Sequence, residues 1–338
     1  MVIDLHVHVL DLTECKALRQ SDSQVGTDVA VRYFMKHYGI SARQINIDKK
    51  RMSFHLRVLQ QISNSELTGA VLLALDNARN TDGQSIPGYP AFTADNDFVA
   101  DCASGNQFLL FGASVHPYRK DALDELERLV ERGACLIKWL PSAQNIDPGN
   151  PRCIPFFDAM ARLKIPLLSH TGMEHTVSGG DWRFNTPEKL IPALERGVCV
   201  IAAHCGKRLL LHERSFFDQW KKMAQEYKNF YGDIGAFLVP TRLPALREIA
   251  QNTELSRKVL YGSDFPMVPW TTGLSFITGR KKATNLSKLS NPFDRAWKTV
   301  KATGIPDEVF SRAVTLLKIP DSKLISSADC QGRNIDER

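Results

Sequence analysis

The sequence has no apolar segment long enough to cross a membrane. No run of about eighteen apolar residues, the least that a membrane-spanning helix needs, occurs in its 338 residues. Residues 1–10 are apolar, but they include Asp4, His6 and His8 and have neither the basic start nor the small-residue cleavage site of a secretion signal. We therefore predict a protein that is neither exported nor bound to a membrane.

Cysteine is sparse and scattered. The seven cysteines form no CxxC pair, and their odd number does not fit a disulfide framework or a thiolate metal site. This usage is typical of a reducing compartment, so we expect the protein in the cytoplasm.

Strong charge of one sign is also absent. The formal net charge is +6, and the basic residues lie in short separate groups without interleaved aromatic residues, so no nucleic-acid groove is predicted. The 43% of hydrophobic residues argue against disorder as the dominant state, and the 21 glycines and 17 prolines show no collagen-like period. We expect a globular protein whose partner is a small molecule, not nucleic acid or a membrane.

Short apolar, β-branched runs alternate with stretches of helical periodicity. Such alternation predicts a parallel sheet covered by helices. Eight strands are predicted, at residues 2–9, 69–75, 108–115, 134–140, 166–170, 198–204, 230–234 and 258–262. Helices are predicted at residues 121–132, 155–163, 187–196, 216–228 and 243–251.

Polar residues at the ends of five successive strands are evenly spaced. Lys138, His170, His204, Asp233 and Asp264 are 32, 34, 29 and 31 residues apart. One strand and one helix of a barrel need about this length, so the sequence predicts a (β/α)8 TIM barrel. An open doubly wound sheet would show the same alternation, but the count of eight and the lack of a GxGxxG or GxxxxGK[ST] motif favour the barrel.

The predicted barrel is a single domain spanning residues 1–320. The long interval after the first strand predicts a helical insertion at residues 11–65 that covers the barrel mouth as a lid. Residues 266–290 are interpreted as a long loop after strand 8, and residues 321–338 as a polar C-terminal tail.

His6 and His8 are two residues apart on the first strand, so their side chains share a face. Alone, such a pair fits two half-buried histidines with backbone partners as well as it fits a metal site. His170, His204 and Asp264 end strands five, six and eight, and strand ends at the C-terminal face of a barrel carry catalytic groups. Together these side chains indicate a catalytic metal site of histidines and a carboxylate.

The motifs at these strand ends resemble those of the amidohydrolase superfamily, in particular its small TIM-barrel hydrolases and decarboxylases. They are IDLHVH, LIKWLP, LLSHTG, IAAHCG, YGDIGAF and YGSDFP, in the family's order, and the resemblance spans residues 2–320. It implies one or two divalent ions, zinc being the expected metal. By this resemblance His6, His8, His170 and Asp264 are metal ligands, and His204 is a second-metal ligand or a residue that polarises the substrate.

Lys138 has two interpretations. It resembles the lysine that, when carboxylated, bridges two metals in the binuclear branch of the superfamily, since a carbamate offers two oxygens where an ammonium would repel a metal. It could equally remain uncarboxylated and pair with Asp264 or bind a substrate carboxylate.

Further polar and aromatic residues follow strands three, four and five, where specificity groups of barrels lie. Arg119 and Arg183 could each form a bidentate clamp on a carboxylate or phosphate. The candidate substrate-binding residues are His116, Arg119, Trp139, Glu174, His175 and Arg183.

The predicted function is that of a metal-dependent hydrolase. A metal-activated water would attack a small anionic lactone, amide or ester, Asp264 would carry the proton, and His204 would stabilise the developing charge. A decarboxylase of the same superfamily is the alternative, and a non-catalytic metal-binding barrel ranks below it. A barrel nuclease fits less well, because those enzymes resemble this chain less at Lys138. Only the resemblance suggests a homodimer.

Overall fold

Eight parallel strands form the barrel, and neighbours in the sequence are neighbours in the sheet. The computed structural model describes residues 1–9, 58–87, 93–174, 180–267 and 269–324. The predicted (β/α)8 architecture is confirmed. The strands are β1 Ile3–His8, β2 Gly69–Leu73, β3 Leu109–Ala113, β4 Ala134–Trp139, β5 Leu167–His170, β6 Val200–Ala203, β7 Phe230–Asp233 and β8 Val259–Leu260.

Helices follow the strands and cover the outside of the barrel. The α-helices are α1 Asn96–Ser104, α2 Ala122–Glu131, α3 Pro141–Gln144, α4 Ile154–Leu163, α5 Ile191–Glu195, α6 Phe217–Glu226, α7 Leu243–Gln251, α8 Thr253–Ser256, α9 Ser275–Thr278, α10 Arg280–Ser287, α11 Pro292–Lys301 and α12 Glu308–Leu316. The 3-10 helices are Pro151–Cys153, Trp182–Asn185, Pro187–Leu190, His204–Gly206, Thr272–Leu274 and Asp321–Lys323.

The predicted strands and helices are present with slightly different ends. The helix predicted at residues 187–196 is divided into a 3-10 turn and α5, because Pro187 and Pro192 both restrict the backbone there. The segment 266–290 is not a plain loop, since it contains α9 and α10. Most of the predicted lid and of the predicted tail lies outside the described residues. The part of the lid that is described includes residues 58–63, which are helical.

Two layers of apolar side chains form the core. One fills the barrel interior and includes Leu5, Leu73, Leu136 and Leu168, and Leu317 packs against this layer just after α12. The other lies between the strands and the outer helices. Because both faces of the sheet are buried, the strands are apolar along most of their length, and polar side chains stand out at their C-terminal ends.

A β-bulge changes the direction of the side chains in β1. The pairing of β1 with β2 shifts by one residue between Asp4 and Val7. Leu5 packs inside the barrel and Val7 outside it, yet the ring of His6 also reaches the interior, where Lys138 contacts it. The extra residue therefore directs His6 and His8 into the barrel mouth.

The barrel closes between β8 and β1. The Leu5 amide donates to the Tyr261 carbonyl over 3.2 Å, and the His8 amide donates to the Phe265 carbonyl over 3.0 Å. Asp4 Oδ1 also accepts the Ser263 amide at 2.8 Å. Within the described part of the chain, no helix has both the length and the apolar character needed to cross a bilayer.

Candidate metal centre

His6, His8 and Asp264 bring three donor atoms together at the mouth of the barrel. His6 Nε2 lies 3.1 Å from His8 Nε2 and 3.3 Å from Asp264 Oδ1, and His8 Nε2 lies 3.5 Å from the same oxygen. These donor atoms all fall within 4.8 Å of one another. Two imidazole nitrogens and one carboxylate oxygen at such separations could hold one divalent ion.

The turns that carry the site need an unusual backbone. Asp264 has φ of 58° and His204 has φ of 61°, in the left-handed region that non-glycine residues rarely adopt. Gly262 allows β8 to approach His6 closely, because a Cβ there would lie 2.7 Å from the Cβ of His6. Such local strain persists where the surrounding structure enforces it and is common at functional sites.

Asp233, at the end of β7, holds the ring of His6 in place. Its Oδ2 lies 2.7 Å from His6 Nδ1, and its Oδ1 accepts the His204 amide at 2.9 Å. A carboxylate at Nδ1 fixes the tautomer in which His6 Nε2 keeps its lone pair for a ligand. Asp233 was predicted as one of the evenly spaced strand ends but without a role in the site.

His204 and His170 extend the site beyond the three-donor group. The rings of His6 and His204 are stacked with centroids 5.5 Å apart, and His170 lies 5.0 Å from His204. His204 Nδ1 donates to the Gly235 carbonyl over 3.0 Å, while its Nε2 lies 3.9 Å from Asp264 Oδ2. The barrel therefore brings together every histidine predicted at a strand end, although only His6 and His8 meet Asp264 at ligand distance.

Glu174 lies next to His170. Its Oε2 is 3.5 Å from His170 Nδ1, and both side chains are largely buried. The structure thus places this predicted substrate-binding residue at the edge of the candidate centre. His175, the next residue, lies outside the described residues.

Lys138 reaches the same centre from β4. Its Nζ lies 3.0 Å from His6 Nε2, so the amine and any metal would compete for one lone pair. Burial lowers the pKa of Lys138 to about 8, although Asp233, Asp264 and Glu174 act in the opposite direction. A buried lysine with a lowered pKa has a neutral fraction near pH 8, and a neutral amine is the form that carboxylation requires.

The protonation states of the centre suit a cation. Burial lowers the pKa values of His6, His170 and His204, which keeps the imidazoles neutral at pH 7. Burial alone would raise the pKa of Asp264, but His204, His6 and His8 outweigh it and hold the pKa well below the usual range. Neutral nitrogens beside an ionised carboxylate are the protonation states that metal binding requires.

Trp139 and His116 do not belong to this centre. The indole of Trp139 is 0% exposed, donates to the Val115 carbonyl over 2.8 Å and packs against Phe156 on α4. It faces outward because Lys138, one residue earlier, faces the barrel interior. His116 is buried, and its two ring nitrogens contact the Gln144 carbonyl and the Tyr118 amide. The predicted substrate contacts of both residues are therefore not supported.

Arg119 and Arg183 already have carboxylate partners. Arg119 Nη2 lies 2.7 Å from Asp121 Oδ2, and its Nη1 lies 3.4 Å from Asp76 Oδ2. Arg183 Nε donates to Asp181 Oδ1 over 2.8 Å, and its side chain is 72% exposed. Neither guanidinium is placed as the predicted clamp on a substrate anion.

A third arginine, which sequence analysis did not single out, lies beside the centre. Arg242 immediately precedes α7 and is 4% exposed. Its Nη1 donates over 3.4 Å to the Gly235 carbonyl, the oxygen that His204 Nδ1 also contacts. No local sequence pattern distinguishes Arg242, since its position depends on how the loop after β7 folds back.

Comparison with known proteins agrees with this geometry. A family model described as amidohydrolase matches residues 74–297, which include the ends of β4, β5, β6 and β8 but not His6 and His8. No curated protein sequence matches the chain.

Several solved structures share the fold. An uncharacterised TIM-barrel protein from Bordetella bronchiseptica has 15% identity and a TM-score of 0.58, with 94% of this chain and 99% of that chain covered. A putative 2-pyrone-4,6-dicarboxylic acid hydrolase from Pseudomonas putida has 13% identity and a TM-score of 0.53, with 94% and 97% covered. A 5-carboxyvanillate decarboxylase from Sphingomonas paucimobilis has 14% identity and a TM-score of 0.52, with 94% and 99% covered. At these identities the similarity concerns the fold alone.

Proposed function

Because this chain belongs to the amidohydrolase family, we propose that it is a metal-dependent hydrolase that cleaves a small anionic lactone, amide or ester. The observation that carries the proposal is the convergence of His6, His8 and Asp264 within 4.8 Å. Fold does not determine the chemistry of a site, whereas the side chains of this centre limit what reaction it can support.

His6, His8 and Asp264 would hold a divalent ion, for which zinc is our proposal because imidazole and carboxylate are among its usual ligands. His170 and His204 adjoin this group and would complete it. When bound, such an ion lowers the pKa of water towards neutrality and polarises the oxygen of a carbonyl group.

Asp264 would carry the proton of the reaction. Its Oδ1 faces the two histidines of β1, whereas its Oδ2 faces His204 Nε2. In the proposed reaction a water oxygen bonds to the substrate carbonyl carbon, and Asp264 accepts the proton that the water loses. The bond to the leaving oxygen or nitrogen then breaks, and that proton passes to the leaving group.

His204 would act on the charge that develops in this reaction through a second ion. Its Nδ1 donates to the Gly235 carbonyl, which fixes the ring and leaves the lone pair of Nε2 on the Asp264 side of the centre, where it would hold that ion. Lys138 keeps its two interpretations: as a carbamate it would hold a second ion, and as an amine it would face a substrate carboxylate.

Metal analysis combined with Asp264→Asn tests the proposal. Protein purified without chelator should contain about one ion per chain, or about two if Lys138 is carboxylated. A screen of carboxylate-bearing lactones, amides and esters should find a substrate whose kcat falls about 100- to 10,000-fold in Asp264→Asn, as expected for the loss of a general base. Asp307→Asn, at an exposed ion pair, is the matched control and should retain full turnover.

Near-full turnover in folded Asp264→Asn would contradict the role of that carboxylate. Absence of metal after addition of zinc and manganese would contradict the proposed centre. A protein that binds metal but turns over none of these substrates would contradict the hydrolase.

Decarboxylation is the second candidate function, and the position of His204 favours it. Its Nε2 lies outside the three-donor group and keeps its lone pair, so the ring could take up a proton from water and pass it to the carbon from which carbon dioxide leaves. Carbon dioxide release from aromatic or enoic acids, without turnover of lactones, amides or esters, would establish this alternative.

A further inference from the structure

Arg242 is a buried guanidinium that forms no ion pair with any residue the structure describes. Its two hydrogen bonds are long, 3.4 Å from Nε to the Arg208 carbonyl and 3.4 Å from Nη1 to the Gly235 carbonyl. In the part of the chain that the structure describes, no carboxylate lies within 4.0 Å of it. Asp264, Asp233 and Glu213 act on its charge only from beyond ion-pair distance. Burying a guanidinium is costly unless its charge is compensated, so the N–H groups that Arg242 leaves unused are available to a further anion.

Arg242 differs from the two arginines that were predicted to bind the substrate. Arg119 and Arg183 are each paired with an aspartate two positions away in the sequence. Those pairs are local, and they occupy the N–H groups along one edge of each guanidinium. Among the described residues Arg242 has carbonyl partners only, which use two of its five N–H groups.

The charge of Arg242 acts on the candidate metal centre. Its Nη1 and His204 Nδ1 contact the same oxygen, the carbonyl of Gly235. Arg242 contributes to the lowered pKa values of His170 and His204, in both cases after burial as the main cause. Gly235 itself touches the centre, because a Cβ there would lie 3.1 Å from the Cβ of Asp264.

We propose that Arg242 binds the anionic group of the substrate, a carboxylate or a phosphate, and so selects anionic molecules for the metal centre. The inference rests on the proposed function for the location of the reacting bond. A planar guanidinium forms two parallel hydrogen bonds with such oxyanions, and a buried position strengthens the interaction because little water competes. Arg242 thereby takes the role that sequence analysis assigned to Arg119 and Arg183.

Small probe molecules test the inference without knowledge of the substrate. Dissociation constants of benzoate, phenyl phosphate and neutral benzamide are measured on zinc-loaded full-length protein, from the dependence of Tm on probe concentration. We expect wild-type protein to prefer benzoate or phenyl phosphate over benzamide, and the preferred anion identifies the group. Arg242→Gln should weaken binding of that anion about tenfold to a hundredfold and leave benzamide binding unchanged.

Two further variants separate binding from structure. Arg242→Lys keeps the charge but loses the planar pair of donors, so it should regain part of the affinity for the anion. Arg312→Gln is the matched control, because Arg312 also donates to backbone carbonyls, those of Ser256 and Val259, from a half-buried position at the other end of β8. Arg312→Gln should leave the preference for the anion unchanged. If Arg242→Gln does not fold, the inference is tested by comparing the affinities of Arg242→Lys and wild-type protein for the anion and for benzamide.

Equal affinity of wild-type protein for the anions and benzamide would overturn the inference. So would an Arg242→Gln variant, or the folded Arg242→Lys variant in its place, that keeps the full preference. A loss of benzoate and benzamide binding to the same extent would show that Arg242 only holds the loop together, which also overturns it. Failure of the hydrolase proposal gives a different result. In that case the protein would turn over no lactone, amide or ester, but it would still prefer the anion through Arg242.

Discussion

His6 Nδ1 lies 2.7 Å from Asp233 Oδ2, on the side of the ring opposite the donor cluster, and the two residues are 227 positions apart in the sequence. Both side chains are fully buried. Burial alone would raise the pKa of Asp233, but His6 and His204 outweigh it and lower the pKa below its usual range, so the carboxylate is ionised. The proton on Nδ1 is thus fixed, and the lone pair on Nε2 faces His8 and Asp264.

Asp233→Asn should weaken metal binding while leaving the proposed ligands in place. An amide can contact Nδ1 through either its oxygen or its nitrogen, so it no longer fixes the tautomer of His6. We expect metal affinity to fall about 10- to 100-fold, measured by competition with a chromophoric chelator. Asp158→Asn, at an exposed pair with Arg196, should leave the affinity unchanged. Unaltered affinity in folded Asp233→Asn would show that His6 needs no such partner.

Lys138→Gln should remove the response of metal content to bicarbonate. The pKa of Lys138, lowered to about 8, provides a neutral amine that can form a carbamate, which would release His6 Nε2 and offer new oxygen ligands. Wild-type protein should therefore gain metal when bicarbonate is added at pH 8, measured by elemental analysis per chain. An equal gain in both proteins would assign the effect to another group, and no gain in either would leave Lys138 as an amine.

Trp139→Ala should reduce stability and leave catalysis intact. The indole fills space between β4 and α4 and contacts Phe156 and Phe157, so truncation leaves a cavity that costs about 3–5 kcal/mol. Urea denaturation measures this loss. The exposed Trp182→Ala should cost far less than that. A lowered kcat or raised KM in folded Trp139→Ala, once a substrate is known, would restore a role in the site.

His116 should make stability depend on pH below neutrality. Burial lowers its pKa from 6.5 to about 3 in the folded protein, so between these values the unfolded chain binds more protons. The free energy of unfolding should therefore decrease as the pH falls from about 6.5 to about 3. His116→Gln should flatten the dependence of Tm on pH over this window, whereas the exposed His212→Gln should not. Parallel curves for His116→Gln and wild type would contradict the assignment.

The barrel and the ends of its strands were predictable because both depend on local patterns. Strands buried on both faces are apolar, so the number of strands follows from the sequence. An almost constant interval separates His170, His204 and Asp264, so their position at the same end of the barrel follows as well. The bulge in β1 was not predictable, since it arises from pairing with β2 and leaves no mark in the IDLHVH motif.

The arginines around the site likewise divide into those with partners close in the sequence and one with partners that only folding brings near. We predicted Arg119 and Arg183 as clamps on a substrate, although each has an aspartate two residues away in the sequence, Asp121 and Asp181, and pairs with it. Arg242 could not be recognised, since its partners at Gly235 and Arg208 are brought to it only by folding. Sequence patterns thus identified groups at strand ends, and missed those whose partners come from another loop.

The closure of β8 on β1 has a consequence for how the protein is made. Asp4 and Ser263, which join these strands, are 259 positions apart, and the donor group likewise combines the first strand with the last. During most of its synthesis on the ribosome, the chain already contains β1 but still lacks the strand that completes the donor group. Contacts so distant form late because closing such a long loop costs entropy. Metal affinity should therefore arise only with the final βα unit, which makes metal uptake a reporter of completed folding.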